Sequence, residues 1–266
     1  MVKGVVRSIA SDQRSAVIKH EAIPNYMPPM IMELKVRNPK EMKGIQPGDK
    51  ISFRLVANET THWIDTIQKL STASSTTLPD PPRPARKAGA ELKPGSLMPD
   101  TTFLSETGEQ IRLSQFRGKA VAFTFIFTRC PLPDYCPRMG HNFSKARALL
   151  NASKEGPRNW QLLSISFDPE FDTPSMLAGY AKTYRGADAA QWLFVVASEP
   201  TLEVLRPQLD LKLFKDSGTI FHNLRTVVLD TQGRVHRQFD DSRWRPEDLA
   251  QAIREASAVP AKPAQP

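Results

Sequence analysis

The chain has 266 residues, 40% of them hydrophobic and 24% charged, with 36 Lys and Arg against 28 Asp and Glu and two cysteines. This length accommodates one large or two small globular domains. The lack of any apolar run of 18 residues excludes a membrane-spanning helix, and residues 1–5 show none of the pattern that begins a signal peptide. The net charge of +8 is spread along the chain without interleaved aromatic residues, which favours a solvated basic surface and no nucleic-acid partner.

The first 70 residues predict a small all-β domain. Ile51, Phe53 and Leu55 alternate with polar residues directly after a Pro-Gly-Asp turn. Similar short β-type segments are separated by turn signals, and together the predicted strands are residues 4–9, 15–20, 31–36, 50–56 and 62–67. Five strands in so short a segment predict a small closed barrel of the OB type.

Residues 71–95 predict an extended linker. They hold five prolines and many Ser, Thr and Ala residues, with few large apolar side chains. Such a segment cannot bury enough apolar surface to offset the entropy lost when it becomes ordered. We therefore expect two domains, residues 1–70 and 96–258, followed by a disordered tail at residues 259–266.

The second part alternates strand and helix patterns, which is typical of an α/β thioredoxin-like fold. The predicted strands are residues 121–128, 160–167 and 192–196, with a hairpin of residues 225–230 and 235–239. The predicted helices are residues 137–150, 173–183, 202–209 and 246–256, the last with Pro, Glu and Asp in its first turn.

Three methionines and a histidine are concentrated between residues 20 and 32. Met30 and Met32 share one face of their predicted strand, and His20 shares a face with Ile18, so all three side chains are expected to point inward near one end of the barrel. Thioether and imidazole ligands favour Cu(I) or Ag(I) over Zn, Mg or Ca. The alternative, which periodicity alone favours, is that these methionines are ordinary core residues.

Residues 4–69 resemble the CusF-like periplasmic copper-binding domain, in the order strand, His, Pro-containing loop and a Met-x-Met pair that opens the next strand. The resemblance implies a copper site formed by His20, Met30 and Met32. Where that family has a tryptophan that caps the metal by a cation–π contact, this chain has Met27. Met27 is therefore either a third thioether ligand or a sign of a more exposed metal.

Both cysteines lie at one strand-to-helix loop. Cys130 follows an apolar strand, and Cys136 precedes Pro137 at the predicted start of a helix. The positive end of the helix dipole is expected to lower the pKa of Cys136. This placement predicts a functional pair, with Cys130 and Cys136 as redox-catalytic residues or as metal ligands. A disulfide between them and a copper-bound dithiolate exclude each other.

The second part resembles the redoxin superfamily and, more specifically, the Sco/SenC family over residues 97–256. The motifs that carry the resemblance are residues 97–104, 111–119, 127–131, Cys136-Pro137, residues 166–174, and His222 eight residues before Asp230. Members of that family have a thioredoxin fold, bind one copper through two cysteines and a distal histidine, and serve cytochrome oxidase assembly. The resemblance implies Cys130, Cys136 and His222 as ligands of Cu(I), and also of Cu(II), in a periplasmic or otherwise extracytoplasmic protein. The departure is the spacer of five residues between the cysteines, two more than is usual in the family.

Other side chains near these motifs allow less specific predictions. A lone histidine in an apolar stretch is more often a packing residue, but His222 stands in the region where redoxins place a cis-proline, which favours a ligand. Asp172 is predicted to cap the helix that begins at residues 173–174. The patterns around His62, His141 and His236 predict no function.

The sequence therefore predicts a copper(I)-binding metallochaperone that delivers copper to a respiratory oxidase subunit or another copper protein, with two soft sites that exchange copper across a linker. The alternative is a thiol–disulfide oxidoreductase acting through Cys130 and Cys136. A thiol peroxidase is disfavoured because Thr128 lies only two residues before Cys130. A single-strand nucleic-acid-binding barrel is disfavoured because the first part has few aromatic residues for stacking.

Overall fold

The structure is a computed structural model that describes residues 1–24, 26–27, 29–58, 61–72, 91–153, 155–216 and 219–260. The chain divides into two compact units. The first unit consists of residues 1–87 with the short segments 131–134 and 212–222, and the second consists of the rest of the chain. Most of the predicted linker and most of the predicted tail lie outside the described residues. Within the described ranges, no helix combines the length and apolarity needed to cross a membrane.

The first unit contains a five-stranded antiparallel sheet, which confirms the predicted all-β segment. Its strands are β1 (Val2–Ile9), β2 (Ser15–His20), β3 (Met30–Lys35), β4 (Lys50–Ala57) and β5 (His62–Ser71). They lie in the order β3-β2-β1-β4-β5, and a parallel bridge between Val36 and Ile64 joins the two edges of the sheet. The edge strands thus meet as they do in a partly open OB-type barrel.

Strand alternation places the core of this unit on one face of the sheet. Val6, Ile18 and Leu34 are fully buried at inward positions of β1, β2 and β3. Gly4 occupies another inward position of β1, opposite His20. A methyl group there would approach Ile18 Cγ2 to 2.6 Å, so the absence of a side chain lets β1 and β2 pack closely.

The second unit has the predicted layered α/β arrangement. Its strands are β6 (Thr102–Ser105), β7 (Gln110–Arg112), β8 (Ala120–Ile126), β9 (Trp160–Ser166), β10 (Trp192–Ala197), β13 (Thr226–Leu229) and β14 (Val235–Phe239). They form one sheet in the order β14-β13-β8-β9-β10-β6-β7. The parallel strands β8 and β9 are buried along their whole length, which explains their nearly continuous apolar sequences.

Four helices accompany this sheet: α1 (Cys136–Ala152), α2 (Pro174–Arg185), α3 (Glu199–Gln208) and α4 (Pro246–Ser257). Each has a proline at its first or second position, where the backbone has no helical hydrogen bond to lose. α4 packs against α1 and β8 through buried residues such as Leu249 and Ile253. These helices confirm the predicted ones to within a few residues.

A hairpin of β11 (Leu213–Asp216) and β12 (Thr219–His222) was not predicted. It belongs to the first unit, where β12 lies against β3. Strands β6 and β7 were also not predicted as strands, and short 3-10 helices occur at Pro39–Met42 and Leu113–Phe116.

An ion pair links β4 and β5 in the first unit. Arg54 Nε and Nη2 donate to the two carboxylate oxygens of Asp65 at 2.7 and 2.9 Å. The hydrogen bonds from Arg54 lower the pKa of Asp65 from its ordinary value of 3.8 to about 2. Because the pKa is lower in the folded state, the pair stabilises the fold above about pH 4, and this contribution is lost as the pH falls toward 2.

We expect Asp65→Asn to lower the urea midpoint at neutral pH, and the difference from the wild type to narrow as the pH falls from about 4 toward 2. Urea unfolding followed by circular dichroism at several pH values measures both effects. Glu203→Gln removes an exposed carboxylate beside Arg206 in the second unit and should leave the midpoint nearly unchanged. A difference between Asp65→Asn and wild type that stays constant over this pH range would contradict the prediction.

Candidate metal centres

The first candidate centre lies at paired ends of β2 and β3 in the first unit. His20 is the register partner of Met30, and Ile18 is the partner of Met32. His20, Met30 and Met32 are each no more than 5% exposed. Strand alternation explains why, since His20 shares the inward face with Ile18, and both methionines share it with Leu34. The structure therefore brings together the three side chains predicted from the sequence.

The hydrogen bonding of His20 leaves one ring nitrogen available as a ligand. Nδ1 lies 2.6 Å from the carbonyl oxygen of Glu21, which can only accept, so the proton of the neutral ring is assigned to Nδ1. Burial lowers the pKa of His20, against a raising effect of Glu21, and so favours this neutral form. Nε2 then presents a lone pair to Met32 Sδ at 3.2 Å. With the ring proton on Nδ1, both Nε2 and the thioether sulfur are lone-pair donors, and their close approach is suited to binding one soft cation.

Met27 lies in the loop between β2 and β3. Its backbone exchanges hydrogen bonds of 2.9 and 3.1 Å with the backbone of Ile23. The Met27 side chain is buried in the same unit as His20, Met30 and Met32. Its role as a further ligand stays a prediction.

The second candidate centre is the pair of cysteines in the second unit. Cys130 lies in the turn after β8, where its N–H donates to the carbonyl oxygen of Phe127 at 3.2 Å. Cys136 is the first residue of α1. Both are thiols rather than a disulfide, and their side chains are hydrogen-bonded to each other. Cys136 is fully buried, whereas Cys130 is half-buried.

The expected lowering of the Cys136 pKa is wrong. The pKa of Cys136 is raised well above its ordinary value of 9.0. Burial of the sulfur is the largest cause, and the hydrogen bond with Cys130 is the second largest. A hydrogen bond from the Phe127 backbone acts in the opposite direction but does not compensate. The loss of hydration outweighs the helix dipole, whose effect on a nearby charge is at most about 2 kcal/mol.

Asp172 fixes Thr128, which lies two positions before Cys130. Its buried carboxylate accepts hydrogen bonds from the Thr128 N–H at 3.0 Å and from the hydroxyls of Thr128 and Ser166 at 2.5 Å each. The predicted capping role of Asp172 is wrong, because Thr173 caps α2 with its own hydroxyl. The three donors replace the water that the carboxylate has lost, so they fix the turn that leads to Cys130.

Arg129, directly before Cys130, is held by the same motif. Its Nη2 donates to Asp168 Oδ2 at 2.6 Å, and its guanidinium lies 4.2 Å from the centre of the Phe171 ring. The motif at residues 166–174 therefore anchors both residues that precede the first cysteine. In the sequence, the signal for these contacts was the pair Asp168 and Asp172, which follow the buried strand β9.

His222 ends β12 and is buried. It belongs to the first unit, whereas both cysteines belong to the second. Within the part of the chain that the structure describes, no group of three or more His, Cys, Asp and Glu side chains has the geometry of a metal site. The role of His222 as a ligand stays a prediction.

We expect the two thiols to be alkylated at different rates in the folded, reduced protein. Cys130 should react first and Cys136 more than about tenfold more slowly, because Cys136 is buried and its raised pKa leaves less thiolate. Timed exposure to iodoacetamide followed by peptide mass spectrometry measures both rates. Unfolding in guanidinium should make the rates similar, and equal rates in the folded protein would contradict the prediction.

Sequence models of two families match this chain. The SCO1/SenC model matches residues 90–258, more than half of the chain, and the model of the copper binding periplasmic protein CusF matches residues 1–69. The SCO1 protein homolog of Bacillus subtilis is 25% identical over 167 residues, which cover 59% of this chain and 81% of the relative.

Solved structures show the same fold. A SCO1/SenC family lipoprotein from Bacillus anthracis has a TM-score of 0.55 at 21% identity, covering 63% of this chain and 99% of that one. BsSco, described as a Sco-family cytochrome c oxidase assembly protein with a disulfide switch, has a TM-score of 0.53 at 22% identity, with coverages of 64% and 98%. Yeast Sco1 with copper bound has a TM-score of 0.51 at 19% identity, with coverages of 64% and 92%. The chain belongs to the SCO1/SenC family, and its first 69 residues match the CusF model.

Proposed function

We propose that this protein is a copper(I)-binding metallochaperone that delivers copper to a respiratory copper site such as that of cytochrome oxidase. The observation that carries the proposal is the 3.2 Å approach of His20 Nε2 and Met32 Sδ, with Met30 opposite His20 on the neighbouring strand. An unprotonated imidazole and thioether sulfurs are ligands that a soft monovalent cation prefers. Met27 is the further thioether available to this site.

The cysteine pair is the second soft site of the proposal. Two thiols in hydrogen-bonding contact can bind one Cu(I) as thiolates, releasing two protons to solvent. His222 completes a set of two cysteines and one histidine. The copper bound by yeast Sco1 supports this assignment for a chain of the same family.

Two sites in one chain allow copper to pass between them without leaving the protein. The copper stays Cu(I) throughout, because the transfer exchanges neutral ligands for thiolates and moves no electrons. Because both sites belong to one chain, the effective concentration of each site near the other is raised, which favours such intramolecular transfer. We place this activity outside the cytoplasm, because CusF is a periplasmic protein and the B. anthracis relative is a lipoprotein.

The second candidate function is thiol–disulfide exchange. It is favoured by the hydrogen bond between the two cysteines and by the partial exposure of Cys130. In that reaction Cys130 attacks a substrate disulfide as the thiolate, and Cys136 then releases the substrate as a dithiol by forming the internal disulfide. The disulfide switch described for BsSco supports this alternative.

We expect the reduced protein, handled without oxygen, to bind two Cu(I) per chain. The double variant Met30→Leu/Met32→Leu and the double variant Cys130→Ser/Cys136→Ser should each bind one, because each removes the ligands of one site. In the Met30→Leu/Met32→Leu background, His222→Ala should weaken the remaining site. Competition with a chromogenic Cu(I) chelator measures stoichiometry and affinity.

Met42→Leu is the matched control, because Met42 is a buried methionine of the first unit outside the centre. It should leave two Cu(I) per chain. Fewer than two Cu(I) in the wild type, together with unchanged binding after His222→Ala, would overturn the chaperone proposal. Turnover of a disulfide substrate that is independent of His222 would favour the oxidoreductase.

A further inference from the structure

Glu21 lies in the first unit, where the pairing of β1 with β2 ends. The register pairs Gly4 with His20, the last residue of β2, and therefore places Lys3 opposite Glu21. The Glu21 N–H continues the pairing, because it donates to the Lys3 carbonyl oxygen at 3.0 Å. In a regular antiparallel pair of this kind, two residues exchange both backbone hydrogen bonds. A regular ladder would therefore direct the Lys3 N–H to the Glu21 carbonyl oxygen.

The Glu21 side chain takes the place of that carbonyl group. The Lys3 N–H donates to Glu21 Oε1 at 3.0 Å. A side-chain oxygen thus satisfies the backbone donor, and Glu21 is still bound to β1 by two hydrogen bonds. As a result, the Glu21 carbonyl oxygen is available to a different donor.

The imidazole of His20 uses this carbonyl oxygen. Nδ1 lies 2.6 Å from it and carries the ring proton, because a carbonyl oxygen can only accept. The same hydrogen bond fixes the rotation of the ring, with Nε2 at 3.2 Å from Met32 Sδ. A carbonyl oxygen that accepted from Lys3 would be directed at the β1 backbone instead of at the ring. The tautomer and the orientation of His20 therefore both depend on which acceptor Lys3 uses.

We propose that Glu21 is a positioning residue, whose side chain replaces its own carbonyl group in the β1–β2 ladder and thereby keeps that carbonyl on His20 Nδ1 and the Nε2 lone pair toward Met32. The inference deepens the proposed function, and rests on it for the first copper site. A hydrogen bond on the second ring nitrogen of a histidine ligand fixes its tautomer and orientation, and its loss typically weakens metal binding by about 10–100-fold.

Nuclear magnetic resonance of the metal-free protein reads the tautomer directly. At about pH 8, above the ordinary histidine pKa of about 6.5, long-range proton–nitrogen correlation spectra distinguish a protonated ring nitrogen from an unprotonated one. In the wild type we expect a protonated Nδ1 and an unprotonated Nε2 at His20. In Glu21→Ala the Lys3 N–H can bond to the carbonyl group at position 21. Both ring nitrogens should then move toward intermediate shifts, because the two tautomers interconvert.

Copper affinity is the second readout. In the Cys130→Ser/Cys136→Ser background, which retains the first site, Glu21→Ala should weaken Cu(I) binding about tenfold in competition with a chromogenic chelator. Glu21→Gln keeps a side-chain oxygen that can accept from Lys3 but removes the negative charge. It should therefore retain the wild-type tautomer and nearly the wild-type affinity.

Glu33→Ala is the matched control. It removes another exposed glutamate of the same unit, whose carboxylate accepts from the Ser15 hydroxyl at the opposite end of β2. Glu21 is exposed as well, so neither substitution opens the core. Glu33→Ala should leave both the His20 tautomer and the Cu(I) affinity unchanged.

A wild-type tautomer in Glu21→Ala would overturn the positioning role. An equal loss of affinity in Glu21→Gln and Glu21→Ala would overturn it too, because the charge rather than the ladder contact would then be responsible. The tautomer is measured without metal, so a wild-type protein that binds no Cu(I) contradicts the proposed function and leaves the tautomer result standing.

Discussion

A carboxylate can be buried with its charge only where hydrogen-bond donors replace the water that it loses. Two such carboxylates occur at the stretch of chain that bears the cysteines: Asp172 contacts this stretch, and Asp134 belongs to it. Asp172 accepts hydrogen bonds from the Thr128 N–H and from two hydroxyls, and so fixes the residues before Cys130. Asp134 is hydrogen-bonded to His62 and Lys35, and these contacts fix residues between the cysteines. The contacts of Asp172 lie in the second unit and those of Asp134 lie in the first, and within each unit these hydrogen bonds are strengthened by the low dielectric of the surrounding apolar core.

The two candidate centres respond to burial in opposite ways. Burial lowers the pKa of His20, which keeps the imidazole neutral and its Nε2 lone pair available. Burial raises the pKa of Cys136, which keeps the proton on sulfur until a metal or a base removes it. Under the proposed function, Cu(I) would therefore meet no competing proton at His20 but would have to displace one at Cys136. Copper uptake at the first centre would then release no proton, whereas uptake at the second would release protons to solvent.

Features that report burial directly were predictable from the sequence. Alternation and turn signals predicted the five strands of the antiparallel sheet in the first unit, and strand alternation placed His20, Met30 and Met32 on inward faces. The hairpin of β11 and β12 was missed because strands of four residues offer too few positions for a period to show. The contact of His62 with Asp134 joins residues 72 positions apart, and no local pattern encodes it. The Cys136 pKa was misjudged because a helix start is a local signal, whereas desolvation depends on what packs over the sulfur.

The buried thiol of Cys136 also bears on the choice between metal binding and nucleophilic attack. A thiol must lose its proton before it attacks a disulfide, and burial makes that loss costly. A soft cation displaces the proton as it binds, and its positive charge compensates the thiolate in a low-dielectric site. The same burial therefore penalises a lone thiolate at Cys136 much more than a copper-bound one. This difference supports the copper-binding role that we propose for the pair, in which Cys130 is half-buried beside Cys136.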